Sequence, residues 1–282
     1  MMISIDGSEG EGGGQVLRNA CALSLITGTP FVVENVRGGR EKPGLMRQHV
    51  TAIAAACAIG EAECDGLEVG STRIAFRPGT IMAGQYHFSV GTAGSTGLVL
   101  QTVLMPLLYA TGPSRLVLEG GTHNMMAPPF EFIARSFLPI INRMGPRVTA
   151  RLVRHGFYPR GGGRIEVEIE PAPLHRIDCL DRGAAVGQSA QALFAGLPRE
   201  IAEREIRAAR KQLPEWPEDA FVIRELPEDQ GPGTVLLLEA EFANVTEVVS
   251  GFGRLGVSAE KLAHTAGKRM SGYCASGAFA GP

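Results

Sequence analysis

Along the first 170 residues, apolar positions alternate, recur at helical spacing, and then alternate again; this succession runs through twice. In the first pass ISID (3–6) predicts a short strand, and a glycine-rich loop leads into the helical run QVLRNACALSLITG (15–28). PFVVENV (30–36) predicts a second strand, residues 46–59 a second helix closed by Gly60 as its left-handed terminal residue, and stretches near 61–68 and 72–77 two more strands. The second pass opens with YHFSV (86–90), crosses the loop GTAGSTG (91–97) and enters the helix LVLQTVLMPLLYATG (98–112). SRLVLEGG (114–121), a helix over about 129–144 ending at Gly145, RVTARLVR (147–154) and RIEVEIE (164–170) complete it. Pro106 and Pro139 fall inside helical patterns, where they predict kinks or helix starts.

Each pass reads β-α-β-α-β-β, so the fold class is α+β with tandem units whose helices lie on one face of a sheet and pack against the neighbouring unit's helices. The texture changes near residue 183. QSAQALFAGL (188–197) alternates as a strand, 197–213 is a charged amphipathic helix, and 214–219 is a turn. FVIREL (221–226) and TVLLLEAEF (234–242) are strands, and a helix starts at Ser258 as N-cap with Glu260 in its first turn. Expected boundaries are a repeat domain over 1–182 and a smaller inserted α/β domain over 183–272. Within the first, copy one covers about 1–80, copy two about 81–172, and 173–182 would open a third copy, with LHRIDCLDR (174–182) as its first strand. Residues 273–282 would begin the return to that third copy, most of which is missing from this sequence.

Composition narrows the function. With 27 Lys+Arg against 29 Asp+Glu, the net charge of −2 excludes nucleic-acid binding through bulk positive charge and leaves room for a local basic pocket. The five scattered cysteines show no CxxC spacing, so neither a zinc site nor a disulfide framework is predicted. Cys21 and Cys57 sit in apolar helical patterns as buried thiols. The N-terminus lacks the basic and apolar regions of a signal peptide, and the apolar stretch near 98–110 is too short to span a bilayer. A reducing, cytoplasmic setting without a membrane partner is expected.

Glycine, 37 of 282 residues, occurs in short clusters that mark specialised backbone at several loops. The loop DGSEGEGGGQ (6–15) lets backbone amides approach an anion at a helix N-terminus, or forms only a tight strand–helix turn. It is neither a P-loop nor a dinucleotide fingerprint. Glu11 among these amides suits a hard divalent cation beside phosphates, whereas Asp6 reads as a turn residue. The segment RGGREKPGLMRQH (37–49) gathers Arg37, Arg40, Lys42, Arg47, Gln48 and His49, a phosphate-binding set or a solvated basic loop. Arg18 lies one turn into the first helix, and Gln101 holds the matching position in the second unit. HGFYPRGGGR (155–164) reads as a wide turn, and His87, His175 and His264 form no constellation.

Together, DGSEGEGGGQVLR, RGGREKPGLMRQH, GTAGSTGLVLQTVL, GGTHNMMAPP and HGFYPRGGG, followed by PREIAERE, DQGPG and VSAE, resemble the RNA 3′-terminal phosphate cyclases, in their catalytic rather than their ribosome-biogenesis branch. The resemblance implies three units similar to the C-terminal domain of translation initiation factor 3, with a smaller domain inserted in the third. It implies ATP, with Mg2+ or Mn2+, converting an RNA 3′-terminal phosphate into a 2′,3′-cyclic phosphate through enzyme-histidine-AMP and RNA-adenylate intermediates. By the same resemblance Glu11 would lie near the metal and triphosphate. Arg18, Arg37, Arg40, Gln48 and His49 would hold phosphates, Gln101 would contact ATP, and Pro128 would border the adenine. The family's nucleophilic histidine, in a Pro-Ser-x-x-His segment, is expected after Pro282, so the 282-residue chain is expected to be inactive by itself. The alternative is a non-catalytic RNA-end or ribosome-assembly binder of the same fold.

Overall fold

The computed structural model describes residues 2–10 and 12–281. The first unit comprises β1 (Ile3–Asp6), α1 (Gly14–Thr27), β2 (Phe31–Glu34), α2 (Arg47–Gly60), β3 (Glu63–Asp65) and β4 (Ile74–Arg77). The second comprises β5 (Gln85–Ser89), α3 (Thr96–Leu107), β6 (Ser114–Gly120), a π-helical stretch Phe132–Phe137 continuing into α4 (Leu138–Arg143), β7 (Arg147–Arg154) and β8 (Gly163–Glu170). Their sheets share one topology, in the orders β1-β2-β4-β3 and β5-β6-β8-β7, with the first pair parallel and the rest antiparallel. The hydrophobic alternation sets the faces: in β8 Ile165, Val167 and Ile169 point inward, while Glu168 and Glu170 meet solvent. Helices α1, α2 and α3 pack on one another between the sheets, and one apolar core runs without a break from Leu17 through Ile53 and Val103 to Ile169. Burial of this shared core is the main stabilising term for both units, since each supplies the cover for the other's helical face.

The α/β unit expected as an inserted domain comprises β9 (Ala185–Ala195), α5 (Arg199–Gln212), β10 (Phe221–Glu225), β11 (Gly233–Phe242), β12 (Thr246–Phe252) and α6 (Ala259–Ser276), with sheet order β10-β9-β11-β12. It has its own core, built on Phe194, Leu236, Leu238, Met270 and Tyr273. Ser258 caps α6 as expected, its side chain accepting the Lys261 N–H. In α5, Ala202, Glu205, Ile206 and Ala209 face inward at helical spacing, and burial pushes the Glu205 carboxyl up to about 7 while it accepts the Thr234 hydroxyl.

The structure departs from the pattern-based expectations in several places. The left-handed residue after α2 is Glu61, with φ 42°, and Gly60 is the last helical residue, where a Cβ would collide with Leu25. Pro139 does start α4, and the π-turn ahead of it accommodates the missing N–H, with Leu138 N–H reaching back to Ile133. Pro106 causes no break before α3 closes one residue later, at Leu107. Residues 174–182, expected as a strand, are irregular: a strand is defined by its ladder, and this segment has no ladder partner among the described residues. Helix α6 runs past residue 272 to Ser276, so the expected domain boundary falls inside a helix. Cys21 is buried and its thiol pushed up by that burial, whereas Cys57 is only half-buried.

A candidate phosphate-binding cleft

The loop between β1 and α1 interlocks with the turn after β2. Gly7 N–H bonds Glu34 O at 2.8 Å, and Gly10 and Gly12 take φ of 60° and 53°, which glycine adopts without strain. Asp6 is a turn residue, as expected: its Oδ1 accepts the Ser8 N–H at 2.9 Å, the Ser8 hydroxyl at 2.7 Å and Asn35 Nδ2 at 3.3 Å. These bonds hold its carboxyl below the usual range, the Ser8 amide contributing most. Glu11 lies outside the described residues. Helix α1 then begins at Gly14 with no side-chain cap from Gly13, leaving its first amides to another partner.

The residues singled out in the sequence converge on that helix start. A Cβ on Gly13 would come within 3.1 Å of Arg40 Nη2. A Cβ on Gly14 would collide with His49 Nε2 and come within 3.1 Å of Arg18 Nη1. Arg18 is buried, and its Nε donates to Gln101 Oε1 at 2.9 Å, joining the matching positions of the two units. Gln48, half-buried, lies against the 91–97 loop, where a Cβ on Gly94 would sit 3.3 Å from its Oε1. Arg37, at φ 55°, turns Nη1 back onto its own loop, donating to Lys42 O at 2.6 Å and Gly44 O at 2.9 Å, so part of its fork is spent on shaping the turn. Gln101 and Pro128 border a cavity of about 540 Å3 between α1, α3 and the π-helical stretch, walled by Leu23, Leu98, Met105 and Phe132. A wider depression of about 800 Å3 along α6 involves none of these residues.

Electrostatics give the cleft a definite preference. His49 is buried, and its Nδ1 accepts the Met46 N–H at 3.0 Å, so the ring proton sits on Nε2, the atom aimed at the start of α1. Burial first, then Arg37 and Arg18, push its pKa down to about 4, leaving a neutral N–H donor near neutral pH. Burial lowers the Arg18 and Arg37 pKa values, and Arg40 lowers Arg37 further. Guanidinium groups, an imidazole N–H and helix-start amides therefore face one place, an arrangement that an anion with several oxygens would satisfy.

Sequence spacing missed one constellation. His123 Nε2 lies 2.9 Å from Glu131 Oε2, and the His155 ring stacks on His123 at 5.1 Å between centroids. The three residues come from separate segments, eight and twenty-four residues apart, so no linear metal-ligand pattern announced them. The one available signal was the placement of both histidines beside glycine turns, in GGTHN and HGFYPRGGG.

The fold and cleft thus define an α+β protein of repeated β-α-β units whose first two units bring Arg18, Arg40, His49 and Gln101 to one cleft. The family model for RNA 3′-terminal phosphate cyclase matches residues 9–248, and the chain belongs to that family. It is similar to the RNA 3′-terminal phosphate cyclase of Koribacter versatilis (strain Ellin345), 50% identical over 280 residues, which are 99% of this chain and 79% of that protein. It is also similar to the RNA 3′-terminal phosphate cyclase of Ectopseudomonas mendocina (strain ymp), at 46% over 276 residues, 98% of this chain and 80% of that protein. Among the described residues no helix is long and apolar enough to cross a membrane.

Proposed function

We propose that residues 1–282 form the phosphate-holding part of an ATP-dependent enzyme that converts an RNA 3′-terminal phosphate into a 2′,3′-cyclic phosphate. The observation that carries this is the Arg18–Gln101 bond, which places both units' polar residues beside His49, Arg40 and the glycine loop. Arg18, Arg40 and His49 Nε2–H would clamp phosphate oxygens, with Gln48 and the outer face of Arg37 alongside. Gln101 and Pro128 would border the nucleotide, whose base fits the apolar cavity. Glu11 would offer oxygen to Mg2+ or Mn2+, which neutralises phosphate charge when bound; Asp6, already engaged by Ser8 and Asn35, would not.

The reaction would proceed in three displacements: a histidine attacks the α-phosphorus of ATP and releases pyrophosphate, AMP passes to the RNA 3′-phosphate, and the 2′-hydroxyl closes the ring and releases AMP. His49 is unsuited to be that nucleophile, because its Nδ1 lone pair is occupied and its Nε2 carries the proton. We assign the nucleophile to none of residues 1–282; the third unit that the family resemblance implies, akin to the C-terminal domain of initiation factor 3, would supply it. Labelled ATP and Mn2+ should therefore leave no covalent AMP on the 282-residue chain, while an oligonucleotide ending in 3′-phosphate binds at least tenfold more tightly than its 3′-hydroxyl twin. A stable AMP adduct would overturn the placement of the nucleophile. Equal binding of the two ends would overturn the cleft assignment and favour an RNA binder indifferent to the end.

A further inference from the structure

We propose that His123, Glu131 and His155 form a zinc site where the second unit meets the inserted domain, separate from the cleft and independent of the cyclase reading. One donor atom from each of the three lies within 4.8 Å of the other two. His123, its side chain fully buried, already has Nε2 at 2.9 Å from Glu131 Oε2. Zinc with arms of about 2.0–2.1 Å holds tetrahedral ligands roughly 3.4 Å apart, so the site closes by about 1.4 Å at most, a change within reach of χ rotation by the half-buried His155 and Glu131.

The surrounding bonds favour metal over a simple histidine–carboxylate contact. His123 Nδ1 lies 2.8 Å from Thr122 Oγ1, and His155 Nδ1 lies 3.2 Å from Gln230 Oε1. Thr122 Oγ1 also accepts the Gly156 N–H at 2.9 Å, and Gln230 Oε1 the His155 N–H at 3.2 Å, so both oxygens are fixed in place. An imidazole that gives its Nδ1–H to such an oxygen keeps the Nε2 lone pair for a cation, as in metal sites whose outer ligand partners set the tautomer. Two imidazoles and one carboxylate suit Zn2+ and are poor ligands for Mg2+, which prefers all-oxygen sites. Arg135 pairs with Glu239 at 2.7 Å, which leaves Glu131 as the carboxylate at the histidines. Gln230 belongs to the inserted domain and His123 to the second unit, so a bound ion would brace that junction together with the Arg154–Asp229 pair at 2.7 Å.

The test is titration of the chelator-stripped 282-residue chain with Co2+, then displacement by Zn2+ in competition with a chromophoric chelator. One cobalt per chain, with the intense visible bands of a four-coordinate nitrogen–oxygen site, is expected, and zinc should displace it. His155→Gln and Glu131→Gln should each weaken zinc binding at least tenfold, with circular dichroism verifying the fold. Binding unchanged in both folded variants would overturn the proposal. So would the absence of cobalt bands in the unsubstituted chain, or thiolate charge-transfer absorption, which would move the ion to Cys57 and Cys64.

Discussion

Replacing Gln101 with leucine removes the acceptor of Arg18 Nε while leaving Arg18, a residue at 9% relative exposure, buried. A hydrogen bond to a charged group contributes about 1.5–3 kcal/mol, and a buried donor left alone loses its solvation as well. The predicted cost of Gln101→Leu is about 2 kcal/mol, which lowers Tm by about 4–8 °C at two to four degrees per kcal/mol. Arg18→Met keeps the stem and removes the charge, so it should cost under about 1 kcal/mol, and the double variant should resemble it, giving a coupling of about 2 kcal/mol. Urea unfolding followed by far-ultraviolet circular dichroism measures the cycle. Trp216, the single tryptophan of the chain, sits in the inserted domain's core, so its fluorescence transition serves as an internal control that should move much less. Coupling below about 0.5 kcal/mol would mean that Arg18 and Gln101 act independently, and the joining of the two units through this pair would fall.

Gly14→Ala sets a methyl group against His49 Nε2, so binding of 3′-phosphate oligonucleotides should fall at least tenfold, measured by fluorescence anisotropy, while Tm drops by only a few degrees. The lowered pKa of His49 makes stability pH-dependent. The unfolded ring binds its proton near 6.5 and the folded ring only near 4, so stability is full above about pH 6.5 and is lost as pH falls toward 4. A shift of this size corresponds to about 3 kcal/mol at most. His49→Gln should flatten that part of the pH profile in denaturant titrations, and an unchanged slope would refute the burial argument.

The regular elements were legible because their physics is local. Alternation in RIEVEIE and the i, i+3, i+4 spacing in α5 each reflect one buried face, and both appear where the pattern put them. What was not legible depends on partners. β12 (Thr246–Phe252) is not legible locally, because TEVVSGF takes strand form by pairing with β11, and its Gly251 clears Leu262. The expected strand at 174–182 failed for the converse reason. In the cleft, residue types were legible and their division of labour was not: nothing in RGGREKPG shows that Arg37 would shape its own turn while Arg40 reaches Gly13. His123 and His155 were invisible as a pair because the 31 residues between them fold away and return.

The duplicated units bear on why the cleft lies where it does. Two copies of one β-α-β-α-β-β pattern that bury their helical faces together must bring α1 and α3 side by side, and equivalent positions on those helices then meet. QVLR and LVLQ align, so the position of Arg18 in one copy is the position of Gln101 in the other. Two arginines there would repel across a buried contact, and two apolar residues would leave no polar floor. One arginine and one glutamine satisfy each other through Nε and Oε1, and the arginine's Nη1 stays directed at Gly14. The asymmetry between the copies thus makes a symmetric packing seam one-sided: the first copy carries the arginine cluster, while the second contributes the brace. Exchanging the two side chains, Arg18→Gln with Gln101→Arg, should preserve the bond and most of the stability yet abolish discrimination between 3′-phosphate and 3′-hydroxyl ends. If discrimination survives the exchange, the site depends on net charge in the seam and not on which copy carries it.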